Sequence, residues 1–322
     1  MFKTSIKKTT SLLVAAGMAL GMSVGMAQAE YPEKPITMVI PLGPGGSHDL
    51  NARVITSVIP AYINQAMIVR LTPGAGGQKG THEVAKAPAD GYTLLFSHNY
   101  IDMLQQHVEK LPYDPKKDFI PIARINFAPI AVVVRGDSPH KTFEDLIAAA
   151  KAKPGGVSMA HSGNWGALFV PAAQMMKSRD VQFNLVPYKG GGPAMQALLS
   201  GDADVTMGFP ATIGALLRSG KLRVLASSGP KRIYDDVPTF TEAGVKGDIG
   251  FMHRVVLARS GTPADVVKKL QDAFTALQGD KTYKNLLKRL GENADLMLGD
   301  DYQKMRDEQD VSYKALVEAI TK

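Results

Sequence analysis

The sequence Pro-Leu-Gly-Pro-Gly-Gly-Ser-His-Asp occupies positions 41–49 and joins two different patterns. The apolar run Ile36–Ile40 before it is typical of a buried strand, and a helical pattern begins near Asp49. A glycine-rich turn between a strand and a helix leaves backbone N–H groups pointing outward, and the positive end of the helix dipole strengthens their attraction for anions. The stretch therefore predicts an α/β unit with an anion-binding turn. Its candidate ligand-binding residues are Pro44, Gly45, Gly46, Ser47 and Asp49.

The same arrangement occurs again one unit later in the chain. Met67–Leu71 is strand-like, positions 72–77 read Thr-Pro-Gly-Ala-Gly-Gly, and a helical pattern starts at Gln78. One such turn alone would indicate only a tight connection, whereas two turns at the carboxyl ends of neighbouring strands lie where α/β sheets bind ligands. The pair predicts a clamp for a negatively charged small molecule. It adds the candidate residues Ala75, Gly76 and Gly77, and Ser97 at the end of the next predicted strand adds a hydroxyl group.

Strand-like and helix-like patterns alternate after residue 29, which predicts an α/β fold with largely parallel sheets. One series of strands lies within 36–97, a second lies within 130–227, and a last strand follows at 251–258. The chain is therefore expected to build one lobe, build a second and return to the first. We predict lobe 1 at 30–128 and 240–322, lobe 2 at 129–239, and hinge segments near 126–130 and 236–250. Turn residues at 135–139 predict a crossing between the lobes as well.

The first 29 residues have the pattern of a secretory signal peptide. Three lysines precede an apolar, glycine-containing run at 12–26, and Ala27-Gln28-Ala29 matches an A-x-A cleavage site. A membrane anchor is the alternative, but the run is short for a spanning helix and a cleavage site follows it. We predict cleavage after Ala29, which removes 29 of the 322 residues and leaves 293.

Composition limits the classes of function. Loss of the three signal-peptide lysines lowers the formal net charge from +7 to +4, and no basic run is present, so we predict no binding to nucleic acid. The chain has no cysteine, so neither a disulfide nor a lipid-modified thiol is available, and stability must come from an apolar core. A binding protein that is exported without a lipid anchor stays with the cell only if an outer membrane retains it. We therefore predict a location in the periplasm.

Several catalytic and cofactor motifs are incomplete. The sequence at 74–80 misses the dinucleotide-binding fingerprint because Lys79 stands in place of its third glycine. His82-Glu83 is half of a zinc motif, with Lys86 where the second histidine belongs, and no Gly-x-Ser-x-Gly elbow occurs. We therefore predict no cofactor, no metal and no catalytic residue.

The second lobe is expected to supply the specificity of the site. Ser162 and Asn164 follow a predicted strand and are suitable hydrogen-bond donors for a carboxylate, and Tyr188 ends the next strand before another glycine-rich turn. Trp165, the single tryptophan, is either a wall of the pocket or a packing residue between the lobes. Arg254 lies in an apolar strand and needs a partner, either a structural acid or the carboxylate of the ligand.

Short motifs follow one another over residues 31–322. They include Pro-Gly-Gly-x-x-Asp at 44–49, Pro-Gly-Ala-Gly-Gly at 73–77 and Asp-Gly-Tyr-Thr-Leu-Leu at 90–95. Val-Pro-Tyr-Lys-Gly-Gly-Gly-Pro-Ala follows at 186–194, and Val-Pro-Thr-Phe-x-Glu-Ala-Gly at 237–244. Each motif alone is weak, but in this order and spacing the chain resembles the substrate-binding proteins of tripartite tricarboxylate transporters, the Bug family.

The resemblance implies a two-lobed periplasmic-binding-protein fold, the Venus flytrap, that closes on a carboxylated solute. It also implies that the turns at 44–49 and 75–77 hold one carboxylate through backbone amides and bridging water. The implied partners are an organic acid and the membrane permease subunits of the transporter, and we expect the protein to be a monomer.

One departure from the family pattern concerns the second-lobe loop. Many relatives have Gly-Asn-Gly followed by Ser or Thr there, and a His-Leu pair soon after. In this chain Trp165 interrupts the run, and Phe169-Val170 occupies the region of the pair. A more aromatic and less polar pocket predicts a ligand with one carboxylate and an apolar or aromatic body, in place of a citrate-like acid.

Two other functions stay open at the level of the sequence. The same fold could present its closed form to a membrane signalling partner and act as a ligand-sensing co-receptor. An exported hydrolase with Ser47 or Ser162 as its nucleophile is a further alternative, although no nucleophile elbow supports it.

Overall fold

Two β-sheets, each flanked by helices, organise the part of the chain that this computed structural model describes, residues 30–247 and 251–321. The predicted signal peptide at 1–29 lies outside the described residues. The strands are β1 Ile36–Ile40, β2 Met67–Leu71, β3 Thr93–His98, β4 Phe119–Pro129, β5 Ala131–Arg135, β6 Ser158–His161, β7 Asn184–Pro187, β8 Val205–Gly208, β9 Leu222–Ser227, β10 Phe251–Arg259 and β11 Met297–Leu298. The helices are α1 Ser47–Val58, α2 Pro60–Ile63, α3 Gln78–Ala85, α4 Pro115–Asp118, α5 Phe143–Ala152, α6 Phe169–Arg179, α7 Gly191–Ser200, α8 Pro210–Arg218, α9 Ala264–Gly279, α10 Lys281–Arg289 and α11 Gly299–Thr321.

The first sheet has the strand order β11-β4-β10-β3-β1-β2 and the second has the order β7-β6-β8-β5-β9. In the first sheet β1 to β4 run in one direction, and β10 lies antiparallel between β3 and β4. In the second sheet β5 lies antiparallel between β8 and β9, and the other four strands share one direction. The predicted α/β fold with two lobes and mostly parallel strands is confirmed. One reversed strand lies in the interior of each sheet, and the two-residue strand β11 at the edge of the first sheet is also antiparallel to its neighbour β4.

The reversed direction of the interior strands β5 and β10 follows from the path of the chain between the lobes. Most strands of both sheets run towards the cleft between the lobes and end there, as the glycine-rich turns require. A strand that enters its lobe from the other lobe begins at the cleft and therefore runs the opposite way. β5 enters directly after β4, with only Ile130 between the two strands, and β10 enters after the return from β9.

The structure corrects two sequence-based expectations about this path. The turn at 135–139 was predicted as a crossing between the lobes, but it joins β5 to α5 inside the second lobe. The 11-residue strand β4 was not predicted at all. The chain passes from the first sheet to the second between Pro129 and Ala131, within the predicted hinge segment at 126–130. The lobe boundaries and the hinge motion themselves stay predictions.

One apolar core cluster runs through both lobes. It joins Leu95 and Met252 of the first sheet to Leu168 and Phe183 of the second lobe, and all four side chains are buried. Helix α11 contributes to the same cluster, and its end touches the second lobe because Lys177 donates a hydrogen bond to the carbonyl of Ala319. The two lobes are therefore packed against each other, and the structure is a closed arrangement.

Candidate functional site

Helices from both lobes begin around one small cavity between the lobes. α1 of the first lobe begins after Gly46, and α7 of the second lobe begins after Gly190. Neither helix has a side-chain cap, so the first-turn N–H groups that lack helical acceptors face the space between the lobes. α6 and α8 begin at the same cavity. Two uncapped helix starts that face each other place like partial charges together, and an anion between them relieves that repulsion.

The glycines at these helix starts also allow the lobes to meet backbone to backbone. The N–H of Gly43 donates to the carbonyl oxygen of Lys189 at 2.7 Å. A Cβ atom added at Gly43 would lie 2.4 Å from that same oxygen, and one added at Gly192 would lie 2.0 Å from the carbonyl oxygen of Pro44. No side chain fits at either position while the lobes are closed. The glycines therefore allow the close backbone contact between the two lobes.

The second glycine-rich turn meets the second lobe in the same way. Ala75–Gly77 forms a single 3-10 turn, with Gly76 and Gly77 in the left-handed region at φ +60° and +102°. A Cβ atom at Gly76 would lie 2.8 Å from the carbonyl oxygen of Asn164. The side chain of Gln105 supports the turn by donating to the carbonyl of Gly76 at 2.8 Å.

Two cavities adjoin this interface, and Ser162 borders both. The inner cavity measures about 20 Å³ and is bordered by Gly46, Ser47, His48 and His98. That volume holds about one water molecule. The outer cavity measures about 320 Å³, at the lower end of the range for small-molecule sites. Its lining includes Ala75, Gly76, Gly77, Asn164 and Tyr188.

Arg254 lies behind Ser47 in a fully buried network. Its guanidinium pairs with both carboxylate oxygens of Glu292, at 2.9 and 3.0 Å, and donates to Asn126 at 2.8 Å. It also donates to the hydroxyl of Ser47. Of the two partners that the sequence left open for Arg254, the structure shows the structural acid.

Glu292 connects this network to the second lobe. Its carboxylate accepts the N–H of Ala211, in the first turn of α8, at 3.2 Å. The same carboxylate that neutralises Arg254 therefore caps a helix of the opposite lobe. An opening of the cleft would have to break this contact.

His48 and His98, which are not among the predicted site residues, lie at the inner cavity. The ring of His48 donates its Nε2 proton to the carbonyl of Ser97 at 3.1 Å, and the ring of His98 lies 5.0 Å away. Burial lowers the pKa of His98 to about 3, with a contribution from the charge of Arg254. Burial, His98 and Arg254 lower the pKa of His48 well below its usual value. Both rings are therefore neutral at pH 7. The sequence could have indicated both histidines as site residues, because His48 lies within the glycine-rich stretch at 41–49 and His98 directly follows a predicted strand.

The remaining predicted residues of the first lobe take supporting positions. Asp49 accepts the N–H of Gly45 at 2.9 Å and pairs with Arg53 at 2.9 Å, so its carboxylate is bound to its own turn. Pro44 and Gly45 lie at the outer rim of the turn. Ser97 is buried beside His48, and its hydroxyl has no partner among the described residues.

Trp165 lies on the second-lobe loop outside the linings of both cavities. Its half-buried ring packs at 5.2 Å from the ring of Phe169. Its backbone is left-handed, with φ +55°, which is rare for an aromatic residue. The hydroxyl of Ser162 on the same loop accepts the N–H of Leu168 at 3.3 Å and so supports the start of α6.

Residues 30–247 and 251–321 contain neither a metal-binding cluster nor a helix that could span a membrane. No cluster of three or more acidic, histidine or cysteine side chains there could hold a metal ion. Within the same residues, no helix has the length and apolarity needed to cross a membrane.

Comparison with known proteins gives a family match over most of the chain. Residues 51–321 match the model of the TctC family, described as the tripartite tricarboxylate transporter family receptor. A curated relative, the protein BugT of Bordetella pertussis, is 33% identical over 269 residues, which cover 80% of this chain and 81% of BugT.

Solved structures agree with this match. The periplasmic binding protein BugD is 28% identical with a TM-score of 0.85, covering 90% of this chain and 99% of BugD. Rpa4515 of R. palustris, solved with adipate, is 26% identical with a TM-score of 0.84 and coverages of 90% and 98%. MatC from Rhodopseudomonas palustris, solved with bound malate, is 26% identical with a TM-score of 0.83 and coverages of 89% and 100%.

Proposed function

The chain belongs to the tripartite tricarboxylate transporter receptor family, and from that premise we propose that it is a periplasmic solute-binding protein for an organic acid. It captures the acid between its two lobes and delivers it to the membrane permease subunits of a transporter of this type. The observation that carries the proposal is the meeting of α1 and α7 without side-chain caps at one cavity between the lobes. The adipate and malate found in related structures are the kind of anion that such a site accepts.

In the proposed site, one carboxylate of the ligand lies between the glycine-rich turns. Backbone N–H groups at Gly46 and Gly76 donate to it from the first lobe, with the hydroxyl of Ser47 beside them. Neutral His48 and His98 line the cavity without adding charge. The positions of the predicted residues in the structure support this assignment, since Ser162 borders both cavities.

Binding requires the lobes to open and close. The inner cavity of about 20 Å³ is too small for a carboxylic acid, so the ligand enters when the contact of Gly43 with Lys189 is broken. We propose that lobe 1 comprises 30–128 and 240–322, that lobe 2 comprises 129–239, and that the hinges lie near 126–130 and 236–250.

The body of the acid is proposed to be apolar or aromatic. Trp165 and Phe169 form a ring pair on the second-lobe loop, where many relatives have small or polar residues. Trp165 directly follows Asn164 of the outer cavity, so an acid with one carboxylate and a ring would reach this pair by extending from that cavity along the loop.

The protein is proposed to release its ligand unchanged, to act as a monomer and to be processed after Ala29. The relatives named above are binding proteins, which supports the first point. The acid recovered after incubation should give an unchanged NMR spectrum, and light scattering should give the mass of one chain. The periplasmic protein should begin at Glu30 by N-terminal mass spectrometry; a chain that still carries residues 1–29 would refute the processing site.

Calorimetric titration and thermal shift with malate, adipate, hexanoate and phenylacetate test the function. At least one acid should bind with a 1:1 stoichiometry and raise the melting temperature, because a ligand of the native state stabilises it. Ser162→Asp places a carboxylate where the ligand's carboxylate would lie, and it should weaken binding at least 100-fold. Ser162→Asn, similar in size and uncharged, should stay within about tenfold of the wild type.

Ser219→Asp is the matched control, since Ser219 is an exposed residue at the end of α8. It adds the same charge away from the cleft and should leave binding unchanged. Equal affinities of the Ser162→Asp and Ser219→Asp variants would contradict the proposed site. Failure of every acid to bind or stabilise the wild type would contradict the function.

A further inference from the structure

A cavity of about 580 Å³ lies beside the crossings between the lobes, apart from the glycine-rich turns. Phe127 and Phe251 line it from the first lobe, at the end of β4 and the start of β10. Leu217 and Ile233 line it from the second lobe. Its volume is within the range of sites that bind small molecules, and it does not include any residue of the predicted carboxylate site.

The walls of this hinge-side cavity are mainly apolar. The rings of Phe127 and Phe251 pack edge to face with their centroids 4.8 Å apart. Ile233 is 44% exposed at the cavity and adds apolar surface to its wall. An apolar ligand body would cover these side chains and remove their surface from water.

The negative charge at this cavity is neutralised by other groups of the protein, whereas the positive charges lie at its rim without an ion-pair partner among the described residues. Glu292 faces it, but its carboxylate is bound to Arg254 and to the N–H of Ala211. Arg218 and Lys231 lie exposed at the rim, and neither forms an ion pair with any residue in 30–247 or 251–321. Burial and Glu292 raise the pKa of Tyr234 to about 12, so its hydroxyl keeps its proton. Within residues 30–247 and 251–321, the rim therefore carries two positive charges without an ion-pair partner above an apolar floor.

We propose that this cavity is a second binding site, for an amphipathic organic anion. The apolar or aromatic body of the ligand lies between Phe127, Phe251 and Leu217, and its single acid group lies at the rim between Arg218 and Lys231. The site does not depend on the proposed carboxylate site, because the two share no lining residue. The two rim cations favour a negatively charged occupant, and a cavity of about 580 Å³ has the size of a small-molecule site, so we take a small anion as the occupant and not a protein surface.

The probe for this site is 8-anilinonaphthalene-1-sulfonate, an aromatic anion whose fluorescence rises in apolar surroundings. The folded wild-type protein should bind one probe molecule per chain in a saturable titration. Gly214→Leu fills the cavity, since a side chain at Gly214 meets only the flexible end of Arg218 at 3.4 Å. This variant should bind the probe at least tenfold more weakly.

Ala215→Leu is the matched control, because Ala215 is the next residue of α8 and faces solvent. It should bind the probe as the wild type does. Arg218→Gln and Lys231→Gln should each weaken binding about threefold to tenfold, more at low salt, whereas Lys221→Gln should not. Equal binding by the Gly214→Leu and Ala215→Leu variants would overturn the proposal.

Other occupants give different results. Probe binding that is lost in the Ser162→Asp variant would place the probe in the cleft and overturn the proposal. A concentration-dependent dimer that excludes the probe would show that a second copy of the chain covers the surface. Retained 1:1 binding in the Ser162→Asp variant supports the second site even if no carboxylic acid binds in the cleft.

Discussion

Trp165 combines an unfavourable backbone with an aromatic contact. A left-handed conformation costs an ordinary residue about 1–2 kcal/mol. The ring pair with Phe169 offsets part of this cost by about 0.5–1.5 kcal/mol. Glycine, and to a lesser degree asparagine or aspartate, would be less strained at this position, so a tryptophan here fits the role in binding that we propose for its ring.

We expect Trp165→Gly to change selectivity more than stability. Glycine removes the strain and the ring together, so the free energy of unfolding should stay within about 1 kcal/mol of the wild type. The affinity for phenylacetate should fall at least fivefold in calorimetric titration, while the affinity for malate should change less than twofold. Trp165→Phe keeps a ring and is the control. An equal loss for both acids, or no loss for either, would contradict the role in selectivity.

The buried pair of Arg254 and Glu292 makes a second prediction at the scale of single residues. Both side chains are almost completely buried, so Glu292→Gln leaves the charge of Arg254 uncompensated. Breaking a buried pair in this way costs about 3–5 kcal/mol, which urea unfolding should detect. Asp272→Asn removes one partner of the exposed Lys268 pair and should cost less than about 0.5 kcal/mol. Similar values for the two variants would show that Glu292 contributes little to the fold.

The neutral histidines predict how stability depends on pH. Because the folded-state pKa of His98 is about 3, the unfolded chain binds this proton first as the pH falls below about 6.5. Between those values the wild type should lose about 1.4 kcal/mol of unfolding free energy per pH unit through His98. Urea unfolding from pH 6.5 to 4 should give a shallower slope for His98→Gln by about that amount. Carboxylates titrate in both proteins and cancel, so identical slopes would mean that His98 is protonated in the fold.

At the scale of elements, glycines at helix starts control closure of the cleft. Gly192, in the first turn of α7, would place a Cβ atom 2.0 Å from the carbonyl oxygen of Pro44. Gly192→Ala should therefore fold normally with the lobes apart but bind the acid at least tenfold more weakly, about 1.4 kcal/mol. Gly279→Ala, also at a helical glycine, has nothing within 4 Å and should bind normally. Unchanged calorimetric affinity in the Gly192→Ala variant would mean that binding does not need this contact.

Helices and strands that are marked by neighbouring residues could be predicted from the sequence. Elements that form only through contacts with distant parts of the chain could not. Thr142 followed three residues later by Asp145 is a capping-box pattern that can be read locally, and the box forms at the start of α5 with both hydrogen bonds. Strand β4 was missed because prolines at 121 and 129 disrupt its pattern. This segment forms a strand because it pairs with β10, which is more than 120 residues away in the chain.

At the scale of the whole molecule, the two lobes and the positions of the two glycine-rich turns could be inferred from the sequence, but the closed contact between the lobes could not. The glycines near 43 and 76 were interpreted as sources of free amides, and they also fit against the backbone of the other lobe. The partner of Arg254 was left open because Glu292 is separated from it by 38 residues in sequence. Contacts of this kind depend on how the lobes meet, which no local pattern encodes.

The hinge-side cavity and the cleft should be coupled, because both are lined by both lobes in the closed arrangement. The bond from Ala211 to Glu292 lies at the border of the hinge-side cavity and breaks when the lobes part. A saturating acid in the cleft favours closure and should tighten probe binding about threefold or more, and the probe should tighten acid binding by the same factor. Fluorescence titrations with and without malate or adipate, whichever binds, measure the effect of the acid on the affinity for the probe. Calorimetric titrations with and without the probe measure the effect of the probe on the affinity for the acid. Gly192→Ala should remove the coupling but keep probe binding, since closure is blocked. Equal probe affinity with and without the bound acid in the wild type would show that the two cavities respond independently.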